Sequence, residues 1–204
     1  MAQVSTNKPS AQSTVAPSLG AHIADPAPLG LAGFALTTFM LSTFNAGLLP
    51  KSAEVAILGV ALFYGGLAQL FAGMWEFVKG NTFGALAFSS YGAFWMSLWY
   101  LIVHSGLAKA DSAKGVGIFL LAWTIFTLYM TVVASRITGL LFALFAVLLV
   151  TFAFLTVGAF AAAPGITKIG GFLGLITAFV AWYASFAGVM NATAKRIVLP
   201  TWPR

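Results

Sequence analysis

There is no cysteine in the chain and little charge of either sign: only 7% of its 204 residues are charged, and just four are Asp or Glu. The missing cysteines exclude disulfides and thiolate metal sites, and say nothing of compartment. The scarcity of charge excludes more. A soluble globular domain carries about 25% charged residues, so this chain has too few to cover a water-facing surface. Two histidines are present, His22 and His104, with no paired carboxylates, no Gly-x-Ser-x-Gly and no phosphate loop. Nothing clusters that could do acid–base or nucleophilic work, so an enzyme is the least supported class, and no catalytic residue, metal or cofactor is expected. The ten Lys and Arg residues raise the isoelectric point to 9.9, but they are scattered one or two per loop. Without a basic stripe, nucleic acid is not an expected partner.

What fills the space is hydrophobicity: 60% of residues are apolar and the mean hydropathy is +0.97. A bilayer crossing takes about 20 mostly apolar residues as helix. Six runs qualify, at 28–49, 54–78, 83–107, 115–135, 138–163 and 167–192. They do not alternate as barrel strands do. The expected fold is therefore an all-α membrane protein, a bundle of six transmembrane helices per protomer with a pathway through each. Residues 1–24, rich in Ser, Ala, Thr, Gln and Pro, read as a disordered tail. They precede a six-helix domain over 25–195 and a short C-terminal tail over 196–204. The first run is too long for the apolar core of a cleaved signal. Six spans put both termini on one side. That side collects Lys8, Lys79, Arg136, Lys195, Arg196 and Arg204, against Lys51, Lys109, Lys114 and Lys168 on the other. The excess of basic residues favours cytoplasmic termini.

The spans are rich in Gly, Ala, Ser and Thr rather than plain Leu. In the second, Ala61, Gly65 and Gly73 share a face that would let helix backbones approach closely. Gln69 lies on that face and Glu76 two turns beyond. Polar groups at membrane depth face a bundle interior or a water path. Glu76 is read either so or as an interfacial residue paired with Lys79 at i,i+3. In the first span Phe34, Thr38 and Asn45 fall on one face with Thr37 beside it. The third carries Ser89, Ser90, Tyr91 and Trp95. A mid-span tyrosine needs a partner for its hydroxyl, either a neighbouring helix or the lining of a pore. Trp99, Tyr100 and His104 read as interfacial. No span has Lys or Arg near its centre. A strongly charged solute is therefore disfavoured, and a small, weakly charged or neutral one fits.

The stretch DPAPLGLAGF, residues 25–34, places Pro26 and Pro28 ahead of the first span. Proline is tolerated at a helix's first position, so the helix is expected to start near Pro28 with Asp25 near its N-cap. The N–H groups of Leu29, Gly30 and Leu31 would then point out of the helix end. That end is either an anion site without a basic side chain or an ordinary capped start at the membrane surface.

The same stretch resembles the N-P-A-P-L-G-L-x-G-F signature of the acetate uptake transporter family, which includes bacterial succinate–acetate permeases and yeast ammonia/acetate transporters. Residues 63–95, FYGGLAQLFAGMWEFVKGNTFGALAFSSYGAFW, resemble the family's second block, and KRIVLP its C-terminal end. The resemblance runs from 25 to about 200. It implies a hexamer in the cell membrane, each protomer carrying acetate and related short carboxylates such as succinate, as a channel or a proton-coupled carrier. It further implies a constriction of Phe34, Tyr91 and Leu148, which would gate by size and dewetting. Asp25 stands where the family usually has Asn. An ionised Asp25 at the entrance would repel a carboxylate; burial would favour its neutral form and make uptake more pH-dependent. Two other readings stay open: a urea or small-amide channel, and a structural or sensory membrane protein.

Overall fold

The computed structural model describes residues 19–104 and 109–204. Among the described residues, seven α-helices account for six apolar spans. Helix α1 covers Ala27–Asn45, α2 Ile57–Leu62, α3 Gln69–Lys79, α4 Thr82–His104, α5 Lys109–Ala134, α6 Gly139–Phe160 and α7 Pro164–Ala194. The second span is composite. A 3-10 turn at Lys51–Ala56 leads into α2, and a π-helical segment at Phe63–Ala68 joins α2 to α3. Six helical stretches long and apolar enough to cross a bilayer result, each within a few residues of the expected run. The chain is a multi-pass membrane protein. The expected tail lies outside the described residues as far as 18, as do residues 105–107 of the third run. Leu19–His22 form a 3-10 turn.

Local chemistry sets the ends. Pro26 and Pro28 open α1, where a missing N–H costs nothing. Thr138 caps α6, its hydroxyl accepting from the Leu141 N–H at 3.1 Å. Helix α3 stops at Gly80, which has φ +80. A side chain is strained in that region and glycine is not, so the chain turns directly into α4.

The spans are apolar nearly all round, so small and polar residues mark their inward faces. Helix α1 packs on α7, α3 on α4, and α6 on both α5 and α7. At Gly65 a Cβ would stand 2.6 Å from Thr37 Oγ1 and 2.9 Å from Trp95 Cδ1. Only glycine lets the π segment sit this close to α1 and α4. The C-terminal residues are an ordered strap rather than a tail. Asn191 Oδ1 accepts from the N–H groups of Val198 and Leu199, and its Nδ2 donates to the Leu199 carbonyl. The Tyr183 hydroxyl donates to the Pro200 carbonyl. The Gly139 N–H donates to the Trp202 carbonyl at 2.7 Å. This fixes residues 197–203 across the start of α6.

Candidate functional site

Among the described residues, two cavities enter the bundle from opposite ends. The first, of about 230 Å³, opens beside the start of α1 and the C-terminal strap; Asp25, Pro28, Leu31, Gln69, Asn81, Thr138 and Thr201 are in its wall. The second, of about 810 Å³, opens on the other side, past Asn45, Lys51 and Lys168, and runs inward along Thr38, Leu41, Ser42, Trp95 and Thr151. Phe34 and Leu148 belong to the walls of both. Tyr91 stands with them, its ring centroid 5.5 Å from that of Phe34 with the planes at 58°. Phe34, Tyr91 and Leu148 are buried, at 5%, 3% and 4% exposure. The waist between the cavities is thus two rings from α1 and α4 and an aliphatic side chain from α6.

Most of the residues picked from sequence line one cavity or the other. Phe34, Thr38 and Asn45 share the inward face of α1, as their spacing requires. Gln69 faces the first cavity, almost fully buried, and its Oε1 has no hydrogen-bond partner among the described residues. Others line neither. Thr37 turns toward the π segment and gives its hydroxyl proton to the Gly33 carbonyl at 2.9 Å. Gly30 packs on the Phe88 ring, Pro26 is buried at the helix start, and Leu29 is exposed. Ser90 lines neither cavity.

Three readings that the sequence left open are decided, each against one of its alternatives. The N–H groups at the start of α1 are not open to a ligand. Those of Leu29 and Gly30 both donate to the Pro26 carbonyl, at 3.1 and 3.2 Å. The Ala27 N–H donates to Asp25 Oδ1 at 3.3 Å, and Leu31 lies a full turn inside. The helix begins at Ala27, one residue early, and its first turn tightens onto Pro26, which leaves no anion site. Glu76 is not an interfacial partner of Lys79. It is fully buried between α3 and α4. Neither of its oxygens has a hydrogen-bond partner among the described residues, although the Asn81 amide lies close by. Lys79 instead bonds Asp25 Oδ1 at 2.8 Å. Asp25 is therefore neither buried nor bare: its side chain is 45% exposed and its charge is answered by an ammonium group.

Sequence reasoning missed the polar groups that other elements bring to the path. Ser42 and Thr151 line the second cavity. Asn81, Thr138 and Thr201 ring the first mouth, and Thr127 holds Tyr91. Ser42 could have been found at four residues from Thr38. Thr201 could not, because nothing local says that the C-terminus folds back.

This architecture is found in known proteins. The profile of the GPR1/FUN34/yaaH family matches residues 8–203. It begins at residue 8, so part of the segment placed outside the family resemblance falls within it. The chain is 44% identical over 192 residues to the ammonia transport outward protein 2 of Saccharomyces cerevisiae, covering 91% of this chain and 68% of that one. It is 41% identical over 180 residues to the succinate-acetate/proton symporter SatP of Escherichia coli K12, covering 87% and 95%. Among solved structures, that of the bacterial acetate channel SatP superposes with a TM-score of 0.82 at 41% identity, covering 88% of this chain and 99% of that one. With the profile spanning nearly its whole length, the chain belongs to the GPR1/FUN34/yaaH family.

Proposed function

We propose that the protein carries acetate and related short carboxylates, succinate among them, across the cell membrane through the path that joins the two cavities. The observation that carries this reading is the waist of Phe34, Tyr91 and Leu148 where the cavities meet. Its lining is apolar, so a solute passes only after shedding most of its water. A methyl carboxylate presents a small apolar end to rings and methyl groups. A hydrated ion presents none. The likeness to SatP, described both as a proton symporter and as an acetate channel, supports the same substrate class.

Both cavity mouths supply polar groups for the hydrated solute, and the second adds Lys168, while Lys51 beside it is paired with Glu54 at 2.6 Å. A carboxylate is drawn there by charge and stripped further in. Both termini face the cytoplasm on this reading, in line with the basic excess on their side. The protomer assembles as a hexamer, in which each copy keeps its own path.

The test is uptake of labelled acetate into proteoliposomes at two external pH values, with and without an uncoupler. Uptake that collapses with the proton gradient marks a coupled carrier. Uptake that follows the acetate gradient alone marks a channel. Absence of acetate uptake, together with permeation of urea, would replace this reading with a small-amide channel. Absence of both would leave a structural or sensory role.

A further inference from the structure

The ring of Tyr91 stands at the waist, but the proton of its hydroxyl is committed elsewhere. The hydroxyl lies 2.9 Å from Thr127 Oγ1 on α5. A hydroxyl has one proton to give and two lone pairs with which to accept. Thr127 gives its proton to the Trp123 carbonyl one turn back, at 2.7 Å. Toward Tyr91 it can only accept, so Tyr91 is the donor. Thr127 is fully buried and Tyr91 nearly so. The rings of Trp123, Phe126 and Phe145 surround Tyr91 at centroid distances of 6.0, 5.3 and 6.1 Å, and offer that proton no rival acceptor.

We infer that Thr127 is a positioning residue that withdraws the Tyr91 proton from the path, so that the waist offers a passing carboxylate no O–H donor. The inference rests on the path being a carboxylate route. Its consequence is kinetic. A donor at the narrowest point would grip a carboxylate with a charge-assisted bond, in a place with little water to replace it. Passage requires binding weak enough to leave. With the proton held by Thr127, the substrate meets ring edges and the Leu148 methyl groups and moves on.

The test is acetate flux in proteoliposomes, read as half-saturating concentration and maximal rate, for Thr127→Val, Thr127→Ser and Thr127→Val in a Tyr91→Phe background. Valine keeps the shape and removes the acceptor, leaving the Tyr91 proton free to turn to the substrate. The expected result is a half-saturating concentration lower by about ten-fold, the scale of one hydrogen bond to a charged group, with a reduced maximal rate. Serine can make the same back-bond and should restore both constants. In the Tyr91→Phe background the valine should change neither. A maximal rate that falls with an unchanged half-saturating concentration would overturn the inference, as it would mark a packing role. So would a valine effect that persists without the Tyr91 hydroxyl, or a serine variant that fails to rescue. Unmodified protein that moves no acetate would remove the transport reading and this inference together; normal flux in the unmodified protein with an indifferent valine variant would remove this inference alone.

Discussion

Asp25 and Lys79 meet where the first cavity opens, 2.8 Å apart, with their side chains 45% and 34% exposed. A pair so placed contributes about 0–1 kcal/mol to stability. Its larger effect is on the field at the mouth. A carboxylate side chain beside an anion's path repels the anion unless a cation stands by, and Lys79 is that cation. Removing it with Lys79→Met leaves Asp25 bare. Acetate flux should then fall several-fold at about 10 mM salt, where the Debye length is about 30 Å. Near 1 M salt, where that length is about 3 Å, the variant and the parent should converge. Flux assays across a salt series measure this. A deficit that ignores salt would mean that Lys79 matters through packing of its stem. The same residues show the limit of reading side chains one helix at a time. Lys79 lies three residues from Glu76, which suggests a pair on one helix, yet it reaches Asp25 across 54 positions and leaves Glu76 buried.

At the scale of elements, the bundle depends on backbones that touch. A Cβ at Gly92 of α4 would stand 2.7 Å from the Leu70 nitrogen and 2.9 Å from the Gly66 carbonyl oxygen. Both are backbone atoms of the composite second span, which cannot swing aside as a side chain can. Gly92→Ala should therefore destabilise the protein by about 1–3 kcal/mol, the cost of overpacking. A lowered midpoint in detergent unfolding, with the α3–α4 interface the first to lose protection from hydrogen exchange, is the expected result. An unchanged midpoint would mean that α4 can shift without loss. The six spans were legible because length and hydropathy alone define a crossing. That Phe34 and Tyr91 turn inward was legible because Phe34 shares a face with Thr38 and Asn45 and because a mid-span Tyr91 calls for a partner; that they meet, with Leu148, came only from the family resemblance. The π segment was not legible, since nothing in FYGGLA sets it apart from a regular turn, and the neighbours it meets at Gly65, Thr37 and Trp95, belong to other helices. Nor was the strap over 197–203, whose bonds run to Asn191, Tyr183 and the start of α6. Thr127 carries no local mark in the sequence, and only tertiary packing sets Tyr91 against it.

For the whole molecule, the defining feature is two cavities facing opposite sides, with Phe34 and Leu148 in the walls of both and Tyr91 beside them. The outer faces carry Phe71, Trp75, Ile125, Phe179 and Val189, all exposed on the protomer. In a membrane such faces meet lipid, and the polar groups are kept for the interior. Such a molecule should be accessible to water from both sides yet continuous to neither. The absence of cysteine makes this directly measurable, since any thiol introduced is the only one present. Thr201 lies in the wall of the first cavity and Asn45 in that of the second. A Thr201→Cys variant should react with a membrane-impermeant thiol reagent only from the cytoplasmic side, and Asn45→Cys only from outside. Opening the waist with Leu148→Ala in the same background should let a small reagent reach each thiol from both sides, at a rate that acetate slows by competing for the path. Reversed sidedness would invert the orientation drawn from the basic residues. Two-sided reaction before the waist is opened would mean that Phe34, Tyr91 and Leu148 do not form the barrier.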